Sequence, residues 1–220
     1  MGSRKLTCPI CEKRKAKRFC PAKTQTICSV CCGTEREVTI DCPSDCPHLV
    51  ASREQEYERR DVDLSKVPFP EVKVTAPFIA AHEDLLLALS YAICLHARDN
   101  PPLVDSDAAA AVQSLAESYR TLSSGIVYEN PPQHRIQREL YEALKTEIEK
   151  YKKEERGEMV VASARNVRNG EIRDTLVFLT QLGALRSNGR PKGRAYLDFL
   201  RTHFEPGALS KPSSGIVLLP

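Results

Sequence analysis

Eight of the nine cysteines lie within the first fifty residues, and this crowding constrains the fold more than any other feature of the sequence. They are Cys8, Cys11, Cys20, Cys28, Cys31, Cys32, Cys42 and Cys46, and His48 comes two residues after the last of them. Two of the gaps, at 8–11 and 28–31, are Cys-x-x-Cys steps, in which a tight turn directs two thiolates toward one tetrahedral metal ion. The spacing predicts a module that is built around metal.

The same segment has too few large apolar side chains to fold around a hydrophobic core of its own. Those between positions 6 and 50 are Leu6, Ile10, Phe19, Ile27, Val30, Val38, Ile40, Leu49 and Val50. A structural zinc site supplies about 10–16 kcal/mol of apparent binding free energy, which becomes folding free energy when the unfolded chain has no preformed site. Bound zinc is therefore expected to provide most of the stability of this module.

The order of the cysteines over about residues 8–48 resembles the cross-brace arrangement of B-box-type zinc domains, in which alternate ligand pairs share an ion. The resemblance implies two zinc ions. Its first site would consist of Cys8, Cys11, Cys28 and Cys31, and its second would include Cys20, Cys42 and Cys46. Lys23 stands where the family has the remaining ligand of the second site, and a lysine cannot replace it. We expect Cys32 to complete that site, with His48 as the alternative.

Disulfide bonds and an iron–sulfur cluster are the alternative uses of these thiols. No apolar signal sequence precedes the cysteines, so export to an oxidising compartment is not expected. An iron–sulfur cluster would use the adjacent pair Cys31 and Cys32 together with Cys42 and Cys46. Two separated Cys-x-x-Cys steps in a short, loop-rich segment favour zinc.

The sequence divides into a zinc-stabilised module and an all-helical domain. The module covers residues 1–60 and ends in a short helix from about residue 47. Residues 61–81 contain Pro68, Pro70 and Pro77, which predict an extended connector. Residues 82–204 are predicted to be all α-helical, and residues 205–220 form a flexible tail.

Apolar residues at helical spacing support the all-α assignment. They predict helices at about 82–98 and 132–155, a helix that opens at the capping residues 105–107, and two more on either side of a loop at 187–194. The helix at 132–155 has an apolar stripe that can pack across a bundle or form the seam of a homodimer.

Two clusters of basic residues are candidate contacts for nucleic acid, because lysine and arginine side chains that neutralise phosphates release counterions. The first cluster, inside the module, is Lys13, Arg14, Lys15, Lys17 and Arg18. The second, in the late loop, is Arg186, Arg190, Lys192 and Arg194. The alternative for both is a solvated loop, and the late loop is longer than the turn of a DNA-reading helix pair.

The sequence gives little support for an enzyme. It has no phosphate-binding glycine loop, no His-Glu-x-x-His motif and no nucleophile elbow. No apolar run approaches the roughly 20 residues that a membrane span requires. We therefore predict a cytoplasmic, non-catalytic interaction or adaptor protein that binds two zinc ions and whose partner is another protein. The alternatives are a nucleic-acid-binding regulator and an iron–sulfur redox protein.

Overall fold

The N-terminal module is a short hairpin followed by two helices. A computed structural model describes residues 7–60, 63–156 and 167–210 of the 220-residue chain. Strands β1 (Arg18–Cys20) and β2 (Gln25–Ile27) pair antiparallel, with Phe19 opposite Thr26. Helix α1 (Ser29–Glu35) follows the hairpin directly, and α2 (Pro47–Arg59) leaves the module as the sequence predicts.

The rest of the described chain is helical. Its helices are α3 (Ala76–Ala81), α4 (Glu83–Asp99), α5 (Asp105–Ser123), α6 (Arg135–Arg156), α7 (Asn169–Arg186) and α8 (Ala195–Arg201). Helix α5 lies at the centre and packs against α6 and α7, while α4 packs against α6 and α8. A mostly helical chain with a small cysteine-rich module at its start is thereby confirmed.

Helix α6 uses its apolar stripe inside the chain. Leu140, Leu144 and Ile148 are fully buried in the core, and Ile136 and Tyr151 pack against it. A homodimer through this helix would therefore need another of its faces. In the parts of the chain that the structure describes, no helix is both long and apolar enough to cross a membrane.

The sequence predicts an extended connector at residues 61–81. The structure shows that this proline-containing segment is not simply extended. It contains a 3₁₀ turn (Leu64–Lys66) and ends in α3. The Thr75 hydroxyl accepts a hydrogen bond from the backbone N–H of Phe78. Pro77 lies in the first turn, where a backbone N–H would have no partner inside the helix, so the missing N–H of proline costs no hydrogen bond. Proline at this position is compatible with a helix start. Helices α4 and α6 begin slightly later than the predicted positions 82 and 132.

The start of the predicted flexible tail is held against α4. The Tyr91 hydroxyl donates to the carbonyl oxygen of Ala208 over 3.0 Å, and the guanidinium of Arg98 donates to that of Leu209 over 3.1 Å. The last helix ends at Arg201, before Phe204, whose ring packs on Tyr91. Residues 211–220 of the predicted tail and 157–166 of the predicted helical domain lie outside the described residues.

Asp105 joins the start of α5 to the start of α8. Its carboxylate accepts hydrogen bonds from the backbone N–H groups of Tyr196 (3.0 Å) and Leu197 (3.1 Å), which the first turn of a helix leaves without internal partners. The side chain is 1% exposed, and this burial raises its pKa from 3.8 to about 6 although the two N–H donors oppose the shift.

The raised pKa of Asp105 predicts a loss of stability as pH rises through the range from 3.8 to about 6. Over that range the unfolded chain releases the proton while the folded chain still holds it, so a higher pH favours unfolding. We expect the free energy of unfolding of the wild type, measured relative to Asp105→Asn, to fall by about 2 kcal/mol between pH 4 and pH 7. Urea titrations of both proteins measure this difference, and a difference that does not depend on pH would contradict the prediction.

Candidate metal centre

The first Cys-x-x-Cys step lies in a closed turn. The backbone N–H of Cys8 donates to the carbonyl oxygen of Arg14, and the carbonyl oxygen of Cys8 accepts from the N–H of Glu12, both over 2.8 Å. Glu12 adopts a left-handed conformation with φ of 54°, which reverses the chain just after Cys11. The turn thereby places Cys8 and Cys11 on the same side of the module.

The second step lies at the N-terminus of α1. Cys28 is the N-cap residue, and its sulfur accepts a hydrogen bond from the backbone N–H of Cys31 over 3.3 Å. Cys31 is in the first turn of the helix, so this hydrogen bond joins the two cysteines of the step within one turn.

These two steps bring four sulfur atoms together. The Sγ atoms of Cys8, Cys11, Cys28 and Cys31 all lie within 4.8 Å of one another. The Cys11 and Cys28 sulfurs are 3.9 Å apart, and a tetrahedral zinc ion with Zn–S bonds of about 2.3 Å separates its sulfurs by about 3.8 Å. The donor set and its spacing therefore fit a four-coordinate metal ion, as the sequence predicts.

The four thiols do not ionise alike. Hydrogen bonds from the backbone N–H groups of Lys13 and Arg14 lower the pKa of Cys11 to about 6. Burial, followed by the nearby thiols, raises the pKa of Cys31 to about 12. Four adjacent thiolates repel one another, and a divalent cation at their centre stabilises the ionised form of all four. The arrangement has the chemistry of a metal site with four thiolate ligands.

The residues predicted for a second site are less closely gathered. Among the residues that the structure describes, only the first group brings three or more ligand atoms within 4.8 Å of one another. Cys42 is nevertheless close enough to Cys20 and Cys46 for their charges to contribute, after burial, to its raised pKa. The sulfur of Cys32 instead accepts from two guanidinium groups, those of Arg18 (3.8 Å) and Arg36 (3.7 Å). His48, the predicted alternative, is half-buried in the first turn of α2.

The two basic clusters have different environments. In the first cluster, Lys13, Arg14, Lys15 and Lys17 are exposed, and none of the four forms an ion pair with another described residue. Arg18 is half-buried and turns inward to Cys32. The first cluster thus presents at the surface four cationic side chains that have no ion-pair partner in the described parts of the chain.

The second cluster binds the rest of the chain. Arg190 donates to the carbonyl oxygen of Arg36 (2.8 Å), and the ammonium group of Lys192 donates to that of Thr39 (2.9 Å). Arg194 pairs with the carboxylate of Asp41. The predicted nucleic-acid loop therefore holds the cysteine-rich module against the helices.

Arg186, the remaining member of that cluster, lies between two aromatic rings. Its guanidinium is 3.8 Å from the ring centre of Phe199 in α8 and 4.8 Å from that of Tyr57 in α2. This stack lies on the wall of a cleft of about 950 Å³ between α2 and the α7–α8 corner. Val50 and Tyr57 are largely exposed on the α2 side of the cleft.

Glu37 is the centre of a buried network that the sequence did not reveal. Only 1% of the residue is exposed, and its carboxylate accepts from Arg53 and from the amide of Asn188, each over 2.6 Å. Arg53 also pairs with Asp198 of α8 over 2.6 Å. Glu37 and Arg53 are more than one hundred positions from Asn188 and Asp198 in sequence, and no local pattern marks the two pairs as neighbours.

No protein-family model, curated protein or solved structure matches this chain. The sulfur cluster of Cys8, Cys11, Cys28 and Cys31 is compatible with a zinc-binding module, and no family match supports the more specific likeness to B-box-type domains.

Proposed function

We propose that the chain is a cytoplasmic, non-catalytic interaction protein whose N-terminal module is built on structural zinc. The observation that supports this best is the cluster of four cysteine sulfurs at positions 8, 11, 28 and 31. A zinc ion with four protein ligands has no open position for water or substrate, which distinguishes structural from catalytic sites. The role of the ion is then to hold the loops and α2 in one arrangement.

The interaction role is supported by the surface that surrounds α2. The helix exposes Val50 and Tyr57 beside the cleft, and such exposed apolar side chains with charged neighbours are typical of protein-binding surfaces. The partner that we propose is another protein.

We further propose a second zinc ion bound by Cys20, Cys42 and Cys46, with Cys32 as the fourth ligand and His48 as the alternative. The proximity of Cys42 to Cys20 and Cys46 supports the first three ligands. For Cys32 to bind the ion, its sulfur must exchange the contacts with Arg18 and Arg36 for a metal bond.

Metal analysis of the purified full chain tests both sites. We expect two zinc ions per chain in the wild type and one in Cys20→Ser. Cys32→Ser should also retain one zinc ion, while His48→Ala should retain two. If instead Cys32→Ser retains two ions and His48→Ala retains one, the fourth ligand of the second site is His48. One ion in the wild type would exclude the second site. Iron with visible absorption would indicate the iron–sulfur alternative, and the absence of any bound metal would contradict the proposal as a whole.

A nucleic-acid-binding regulator is the second candidate function, and one observation favours it. Four exposed cationic side chains of the first basic cluster have no ion-pair partner among the described residues, whereas the late loop uses its cations within the chain. The candidate binding surface is thereby reduced to residues 13–18.

A further inference from the structure

The hairpin of the module has an outer face that carries an exposed aromatic ring. Along residues 16–20 exposure alternates: Ala16 and Cys20 are buried, whereas Lys17 and Phe19 are exposed. Side chains two residues apart on a strand lie on the same face, so Lys17 and Phe19 share the outer face of the hairpin. Phe19 is 59% exposed, so its ring is accessible to a binding partner.

Positive charge surrounds this ring. Between residues 12 and 27 the chain has six lysine and arginine residues and one carboxylate, that of Glu12. Lys13, Arg14 and Lys15 lie in the turn just before β1, and Lys23 lies in the hairpin loop, where it is also exposed. Among the described residues none of these four side chains forms an ion pair, so their charges are available to an anionic partner.

The cysteine site fixes the position of these cations. The backbone N–H groups of Lys13 and Arg14 donate to the sulfur of Cys11, so the backbone of the turn faces the metal centre while the side chains are exposed to solvent. The strand that carries Phe19 ends at Cys20. The cations and the ring are therefore presented by a backbone that the sulfur cluster has already ordered.

A rigid exposed aromatic ring among unpaired cations matches the chemistry of single-stranded nucleic acid. Lysine and arginine side chains contact its phosphates, and unpaired bases stack on aromatic rings, which the stacked bases of a duplex cannot do without distortion. We propose that the outer face of the hairpin binds single-stranded nucleic acid, with Phe19 stacking on a base and Lys13, Lys15 and Lys17 contacting phosphates. This inference rests on the second candidate function and specifies its ligand.

The test is fluorescence anisotropy of a labelled twelve-nucleotide oligothymidylate with the zinc-loaded full chain at low salt. Phe19→Ala should weaken binding by roughly 5- to 150-fold, the usual effect of removing one stacking partner. Tyr128→Ala is the matched control, because Tyr128 is 60% exposed on the helical domain, and it should leave affinity unchanged. Zinc content and thermal midpoint, measured for each variant, establish that the module is intact.

The contribution of the lysines is read from the salt dependence. The triple variant Lys13→Gln, Lys15→Gln, Lys17→Gln should make the negative slope of log affinity against log salt shallower by about 2, because each single-strand phosphate contact contributes about −0.7. The control Lys66→Gln, Lys73→Gln, Lys153→Gln changes net charge equally on exposed lysines outside the module and should leave the slope unchanged.

Four results would overturn the proposal. If Phe19→Ala binds as tightly as the wild type, or if a duplex of the same length binds better, the surface is not a single-strand site although nucleic-acid binding itself stands. If no nucleic acid binds at low salt, the second candidate function fails as well. Binding to vesicles with anionic lipid but not to the oligonucleotide would assign the cations to a membrane surface. A normal zinc content in each case leaves the metal-built module intact.

Discussion

Removal of the metal ion is expected to unfold the N-terminal module while most of the helical structure remains. The module has few buried apolar side chains besides its cysteines, chiefly those of Ala16, Ile27, Ile40 and Leu49, and a structural zinc site contributes about 10–16 kcal/mol of folding free energy. No packing within the module can replace a contribution of that size. Helices α4 to α8 share a separate core and do not depend on the ion for it.

Chelation followed by amide hydrogen exchange and circular dichroism measures this effect. We expect the amides of residues 7–46 to lose protection, the helical signal to fall only slightly, and both changes to reverse when zinc is added back. Cys94→Ala is the matched control, because Cys94 is fully buried in α4 and away from the sulfur cluster, so that variant should bind zinc normally. A chelated protein with the same protection and thermal midpoint as the loaded one would show that the sulfur cluster is not what holds the module together.

Replacement of Glu37 by alanine is expected to destabilise the folded chain by about 3–5 kcal/mol, because it leaves the charge of Arg53 buried with only one carboxylate partner. Burial by itself would lower the pKa of Arg53, yet its hydrogen bonds and charge interactions with Asp198 and Glu37 raise it. The guanidinium is thus stabilised by its partners at the boundary between module and helices. Asn188 would also lose an acceptor.

Urea unfolding of the zinc-loaded protein measures this cost, and a double-mutant cycle isolates the pair. Glu37→Ala and Arg53→Ala together should cost less than the sum of the two single changes, since the second removes a guanidinium that the first has already deprived of one of its two carboxylate partners. Glu58→Ala removes an exposed carboxylate from the same helix as Arg53 and should change stability by no more than about 0.5 kcal/mol. A cost below about 1 kcal/mol for Glu37→Ala would mean that the network does not join the two parts.

The sequence predicted the metal centre because its geometry is local. Each Cys-x-x-Cys step closes within one turn, so the spacing alone determines that Cys8 and Cys11, and Cys28 and Cys31, approach each other. Apolar periodicity predicts the helices for the same reason, because it too is a local pattern in the sequence. The sequence does not predict the helix at Ala76–Ala81, because Pro77 with Pro68 and Pro70 favours an extended chain, although proline is well tolerated in a first helical turn.

Local sequence patterns do not predict the buried network around Glu37 or the role of the loop at residues 187–194. Glu37 and Asn188 are 151 residues apart, and each lies in a polar loop whose sequence is typical of a solvent-exposed loop. The charges of Arg190, Lys192 and Arg194 predict a nucleic-acid contact or a solvated loop, and sequence alone does not show that their partners are a carboxylate and carbonyl oxygens of the same chain.

The Glu37 network also bears on how the chain can be divided. The prolines between residues 61 and 81 look like a natural place to separate the cysteine-rich part from the helices. A cut there would leave Glu37 and Arg53 on one fragment and Asp198 and Asn188 on the other, each with charged or polar groups that had lost their partners. Whether the cysteine-rich part or the helices can be expressed alone therefore depends on the surface that these two parts share. The position of the connecting segment 61–81 does not indicate where that surface lies.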